Sequence, residues 1–257
     1  MSHVFNAYAR YYDLLYADKG YAAEARYVDA HIREHVPHAK RILELGSGTG
    51  AHAEHLARMG YSVHGIEVSE RMLTRSLERK ADLPIQVAGG LTFDIGDVRS
   101  VRTGQYYDVV ISLFHVVSYQ SRNSDLDATF ATAAAHLQRG GLFLFDFWYG
   151  PAVLMQRPAI RTKRLEDEVI RVTRTATPEL DVNENHVDVH YDVAIEDKST
   201  GCVDHIQETH RMRYLFLPEI AHFASPDSWS GPRAFAWMTR QPLTEKDWSG
   251  CVVLVRR

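Results

Sequence analysis

Cysteine is scarce in this chain of 257 residues: Cys202 and Cys251 are its two. They show neither metal-ligand spacing nor a disulfide framework, so a reduced, cytoplasmic setting is expected. No run of about eighteen apolar residues occurs, and no helical membrane span is expected. The opening Met1-Ser2-His3-Val4-Phe5-Asn6 lacks the basic and apolar blocks of a secretory signal. Positive charge is not in excess; the net charge is −4, which argues against a nonspecific nucleic-acid binder. Internal repeats and low-complexity tracts are missing too. What is present is a hydrophobic fraction of 45%, ample for a buried core. The length suits one substantial domain with an inserted or appended subdomain.

The most informative segment is Ile42-Leu43-Glu44-Leu45-Gly46-Ser47-Gly48-Thr49-Gly50. An apolar run reaches a carboxylate, then glycines alternate with small polar residues, and a helical pattern follows from Ala51 to Met59. Glycine is needed where the backbone bends sharply or must approach a ligand closely. A strand, a tight glycine turn and a helix N-terminus form a nucleotide-cofactor site in open α/β sheets. Ala51 stands at the third glycine of the dinucleotide fingerprint G-x-G-x-x-G. The whole segment resembles motif I of the class I S-adenosylmethionine (SAM) methyltransferases, Glu-x-Gly-x-Gly-x-Gly. That resemblance implies a Rossmann-like α/β fold with a seven-stranded sheet, SAM as cofactor, and cofactor contacts from Glu44, Gly46, Ser47, Gly48 and Gly50.

Further landmarks follow in order. Tyr61 to Glu67 reads as a second strand ending in a carboxylate, which suits a ribose diol because it accepts from both hydroxyls. The resemblance assigns Glu67, with Val68 beside it, to the SAM ribose. Phe93-Asp94-Ile95-Gly96-Asp97-Val98-Arg99 resembles the family's adenine turn, with Asp97 accepting from the adenine amino group and the Val98 N–H facing a ring nitrogen. Asp94 is the competing assignment. Tyr107 to Phe114 is a continuous apolar run of the kind found in buried parallel strands, and the resemblance places Leu113 near the cofactor. A helix over about Asp125 to Gln138 and a strand over Gly140 to Trp148 complete a further βαβ unit.

Residues 1–38 read as an N-terminal helical cap, with a second helix from about Ala22 to His35. Residues 39–150 hold the SAM-binding core. After Pro151 the period changes to two at Val169–Arg174, His186–Ala194 and Asp204–Phe216, with Lys198-Ser199-Thr200-Gly201 as a turn. Residues 151–216 therefore read as an inserted antiparallel β subdomain. Residues 217–257 return to the core sheet through strands at Ala234–Thr239 and Cys251–Val255. The mixed-sign run Arg161–Glu168 reads as solvated surface.

A cap and an insert after the fifth strand are similar to the N-methyltransferases of nucleotide-linked amino sugars of desosamine and mycaminose type. Tyr12-Asp13-Leu14, Glu208-Thr209-His210-Arg211, Trp148 and Gly231-Pro232-Arg233-Ala234-Phe235 carry this similarity, with Pro232 departing from the family's Gly-Arg-x-Phe. It implies a nucleotide-linked sugar as acceptor and a possible homodimer formed through the insert.

Cationic sulfur favours aromatic faces and carboxylates, for which Tyr8, Tyr11, Tyr12 and Trp148 are candidates; Tyr12 is assigned to the cofactor, Tyr8 and Trp148 to the acceptor. Methyl transfer depends mainly on positioning and exclusion of water, worth ~7–11 kcal/mol. His115, just past the fourth strand, is the candidate general base, with Tyr119 orienting the acceptor. Arginine forks suit a pyrophosphate; Arg233 and Arg211 are the candidates, with His210 at the sugar. No metal is expected, because Asp146 has no adjacent Asp or Asn. The runner-up is an O-methyltransferase acting on a sugar or natural product. An NAD-dependent oxidoreductase and a non-catalytic SAM-binding protein are the readings of other classes. The missing Asn/Asp-Pro-Pro-aromatic motif speaks against a nucleic-acid base methyltransferase.

Overall fold

The computed structural model describes Tyr11, residues 14–16 and residues 19–257. The chain divides into two compact units. The first holds residues 21–155 and 214–257; the second holds residues 156–213 with the described part of the first twenty.

The first unit runs α1 (Tyr21–His35), β1 (Arg41–Leu45), α2 (Ala51–Arg58), β2 (Ser62–Glu67), α3 (Glu70–Ala81), α4 (Ile85–Ala88), β3 (Leu91–Ile95) and β4 (Tyr107–Ser112). A 3₁₀ turn (Val116–Tyr119), α5 (Asn123–Ala135), β5 (Leu137–Tyr149) and α6 (Gly150–Gln156) follow. After the second unit the chain returns through α7 (Leu217–Phe223), β10 (Arg233–Ala236) and β11 (Ser249–Val255). The strands order as β3-β2-β1-β4-β5-β11-β10. All neighbours are parallel except β11, which runs antiparallel to β5 and to β10.

The continuous apolar strands follow from helices on both faces. Successive side chains point to opposite faces, so Leu43, Val110, Phe143 and Phe145 join Phe130 of α5 and Ile220 of α7 in one core. Ile42, Val109, Ile111, Leu142 and Leu144 join Val28 and Ile32 of α1 and Leu56 of α2 in the other. Helix α1 thus packs on the core sheet, although the sequence grouped it with the cap. Cys251 is buried in this second core, whereas Cys202 is exposed.

The second unit is an antiparallel meander of β6 (Arg161–Glu166), β7 (Ile170–Asp181), β8 (His186–Asp197) and β9 (Val203–Leu215). Val172, Val193 and Ile195 on one face pack with Tyr11 and Leu15. The β8–β9 turn falls where expected: the Asp197 carboxylate accepts from the N–H groups of Ser199 and Thr200, and Gly201 adopts φ 69°.

Four differences from the sequence reading are physical. The run Arg161–Glu168 is largely edge strand β6; its charges are surface charges, as edge strands favour. Helix α5 stops at Ala135 because Leu137 already pairs with Tyr107 as the first residue of β5. Strand β10 ends at Ala236, where the chain turns and Met238 adopts φ 64°. Finally, Tyr214 and Leu215 of β9 pair in parallel with Trp148 and Tyr149 of β5, a pairing the alternating pattern did not announce. Helices α6 and α7 carried no periodic signal long enough to be foreseen.

Among the described residues, no helix is long and apolar enough to cross a membrane.

Candidate active site

The site residues of the first unit gather past the C-terminal ends of the parallel strands. Gly46, Gly48 and Gly50 all have positive φ, at 79°, 55° and 74°. A Cβ on Gly46 would stand 2.6 Å from the Val116 side chain, and one on Gly50 would stand 2.7 Å from the Phe93 ring. Gly48 is different: a Cβ there would meet nothing within 4 Å. The turn is thus closed against protein at its ends and open at its middle, where a ligand can approach the backbone. Ile66 O accepts from the N–H groups of Gly46 and Ser47, tying the turn to β2.

Carboxylates define the surroundings. Glu67 accepts from Gly48 N–H at 2.8 Å and from Ser69 N–H at 2.9 Å, one on each oxygen. Each oxygen keeps a second lone pair, so the ribose role given to Glu67 remains sterically and chemically open. Glu44 is buried, and its Oε2 has no hydrogen-bond partner. Burial, with Glu67 adding repulsion, pushes its carboxyl up to about 8. Such an orphaned acceptor suits a cationic group of a bound ligand. Behind it, His52 Nδ1 lies 3.8 Å from Glu44, and His52 Nε2 lies 2.6 Å from Glu24 of α1.

Beyond β3, Asp97 sits in the turn that follows the strand, whereas Asp94 lies within the strand and pairs with His64 at 2.8 Å. Asp97 is already engaged: Arg99 donates to both its oxygens and holds its carboxyl below the usual range. Val98 is buried. Val68 and Ile95 are exposed apolar residues at the ends of β2 and β3, an arrangement suited to a flat purine. Leu113, expected at the cofactor, has its side chain inside the second core instead, so only its backbone is on offer there.

Past β4, Phe114 and His115 adopt φ 63° and 64°. Two successive non-glycine residues in this region cost about 1–3 kcal/mol each and persist only where the surroundings impose them. The imposing group is Asp146 of β5, buried at 2% exposure. Its Oδ1 accepts from the His115 N–H at 2.9 Å, and its Oδ2 stands 2.9 Å from His115 Nδ1. The Trp148 ring meets the His115 ring edge-on at 6.2 Å, and the Trp148 N–H donates to Ser118 Oγ. Tyr119 ends the same 3₁₀ turn and is 45% exposed.

The remaining candidates lie elsewhere. Arg233 pairs with Val253, which faces Leu144, upstream of Asp146 and Trp148 on β5. Its guanidinium reaches Glu34 at 3.4 Å and His35 Nε2 at 3.0 Å at the end of α1. Arg240 donates to Glu34 and to His31 Nδ1 in the same cluster. His31, Glu34 and His35 have metal-ligand proximity, but these arginines hold the very atoms a cation would need. Arg233 is thus placed in an ion-pair cluster at the end of α1. In the second unit, Arg211 forms a forked pair with Asp188 and His210 lies 3.3 Å from Glu208. Tyr8 and Tyr12 lie outside the described residues. Asp146 was missed as a functional residue. Its signal was a lone carboxylate inside the apolar run Leu142–Phe147. Ile95, His52 and Glu24 had no signal at all.

A mainly parallel sheet of this order with a glycine turn after β1 and carboxylates at the ends of β1 and β2 defines a class I SAM-dependent methyltransferase. The methyltransferase domain family model matches residues 42–141. The dTDP-3-amino-3,4,6-trideoxy-alpha-D-glucopyranose N,N-dimethyltransferase of Streptomyces venezuelae is 32% identical over 79% of this chain and 81% of its own. The dTDP-3-amino-3,6-dideoxy-alpha-D-glucopyranose N,N-dimethyltransferase of Streptomyces fradiae is 29% identical over 82% and 78%. The crystal structure of Streptomyces venezuelae DesVI superposes with a TM-score of 0.79 at 25% identity, over 97% of this chain and 98% of the other. The chain belongs to the SAM-dependent methyltransferase family that contains these enzymes, and SAM is its cofactor.

Proposed function

We propose that this enzyme methylates the amino group of a nucleotide-linked amino sugar. The observation that carries the reading is the similarity to sugar N,N-dimethyltransferases across four-fifths of the chain, joined to a histidine beside the glycine turn. When bound, SAM supplies an electrophilic methyl group on a sulfonium that departs as a neutral thioether. Glu44 would hold the cofactor's ammonium, Glu67 its ribose hydroxyls, and the turn between Asp97 and Val98 its adenine, with Val68 and Ile95 on the ring face. The open backbone at Gly48 gives the cofactor room.

His115 takes one proton from the acceptor amine as the amine's lone pair forms the new C–N bond. Trp148 and Tyr119 shape the acceptor side of the site. Acceptor contacts from His210, Arg211 and Tyr8, a cofactor contact from Tyr12, a homodimer and a cytoplasmic location belong to the same proposal.

The test is mass spectrometry of reactions with SAM and a panel of nucleotide-linked amino and hydroxyl sugars. Methylated amino sugars are expected. Products from hydroxyl sugars alone would replace this reading with O-methylation. One observation favours that second reading: a buried carboxylate, Asp146, faces His115, and an alcohol needs base assistance more than an amine does.

A further inference from the structure

We propose that Asp146 is a positioning residue for methyl transfer, fixing the ring orientation and the tautomer of His115. The proposal rests on the reading of His115 as proton acceptor and deepens it.

Asp146 is a buried carboxylate within the apolar stretch Leu142–Trp148 of β5. Buried charge requires partners, and both of its oxygens are directed at one residue, through main chain and ring. Phe114 and His115 hold a left-handed backbone that a free loop would abandon. The carboxylate therefore sets where the ring sits as well as which way it faces.

A carboxylate accepts only, so the proton of a neutral His115 ring resides on Nδ1, toward Asp146. Nε2 is left with its lone pair. Nδ1 itself is buried while the side chain as a whole is 20% exposed, so the accessible part of the ring lies away from Asp146. The Nδ1···Oδ2 approach is close but not aligned as an ideal hydrogen bond, a state common in catalytic pairs before substrate binds. Cys251 of β11 lies opposite Asp146 on the neighbouring strand. Burial keeps the Cys251 thiol protonated.

During the reaction Nε2 receives the amine proton. The electron pair of the breaking C–S bond leaves with sulfur. The imidazolium formed is stabilised by the Asp146 carboxylate until its proton passes to water.

The decisive measurement is nitrogen-15 NMR of the histidine side chains in the wild-type chain, assigned with His115→Ala. The Nδ1–H tautomer is expected for His115, and Asp146→Asn, whose amide donates to Nδ1, is expected to convert it to Nε2–H. The same variant should lower kcat about a hundredfold with little change in the KM for SAM. His115→Ala/Asp146→Asn should be no worse than His115→Ala. An Nε2–H tautomer in the wild type overturns the proposal even if Asp146→Asn does not fold. So does a folded Asp146→Asn with unchanged tautomer and kcat. If His115→Ala retains full activity while the tautomer still follows Asp146, the proton-acceptor reading fails, and Asp146 governs ring geometry without a part in catalysis.

Discussion

Single residues carry opposed duties around the glycine turn, and substitutions separate them. Gly46→Ala places a Cβ against Val116 at positive φ. It should lower stability by about 1–3 kcal/mol, read as a fall in melting temperature without ligand. Gly48→Ala meets no protein atom within 4 Å. Its larger effect should fall on SAM affinity, read by titration calorimetry, because the added methyl enters the space left for the cofactor. Glu44 adds a pH signature. Its folded carboxyl is raised to about 8 from an ordinary value of 4.5, so the folded chain binds one proton more than the unfolded chain between those values. Stability therefore falls as pH rises through that window and levels off above about pH 8. Glu44→Gln should flatten this dependence in ligand-free thermal melts. His115→Ala tests the chemistry: a loss of kcat near the ~10²–10⁴ of general-base catalysis is expected, and a small loss would mean that water takes the acceptor's proton instead.

At the scale of elements, the antiparallel strands form a core of their own. Ile195 of β8 is buried among Val172 and Val193. Ile195→Ala should cost about 2–5 kcal/mol locally, seen as lost amide protection across β7–β9 in hydrogen exchange, with SAM affinity largely kept. The elements differ in how readily sequence discloses them. β1, β2, β4 and β5 announce themselves because both faces are largely buried and apolar residues dominate their middles. The glycine turn announces itself because positive φ restricts residue choice. β6 was hidden because an edge strand with charges resembles a surface loop, and α6 and α7 are too short to show a helical period. The same distinction governs the site. Glu44 and Glu67 were readable because they end strands whose positions the motif indexes. The surroundings of Arg233 were not legible because a short motif specifies neighbours in sequence, while the ion pair with Glu34 is decided by α1, far away in the chain. Asp146 was legible as an anomaly and lacked a partner until the fold brought His115 to it.

For the whole molecule, the interrupted order of the chain matters most. The unit that carries the cofactor turn is assembled from residues 21–155 and 214–257, and the meander occupies the interval between them. If the meander contacts the acceptor, as proposed, cofactor binding and acceptor choice can diverge separately in related proteins, and the named relatives act on different amino sugars. If the enzyme is a homodimer, light scattering after size exclusion should give twice the chain mass; a single-chain mass would remove that part of the proposal.

Of the two thiols, Cys251 is sealed in the core opposite Asp146, and Cys202 lies at the start of β9 beside the β8–β9 turn, open to solvent. The protein thus carries a natural attachment point for one fluorophore or spin label, with no cysteine to be engineered in or out. A probe placed there reports on the meander through its emission or line shape.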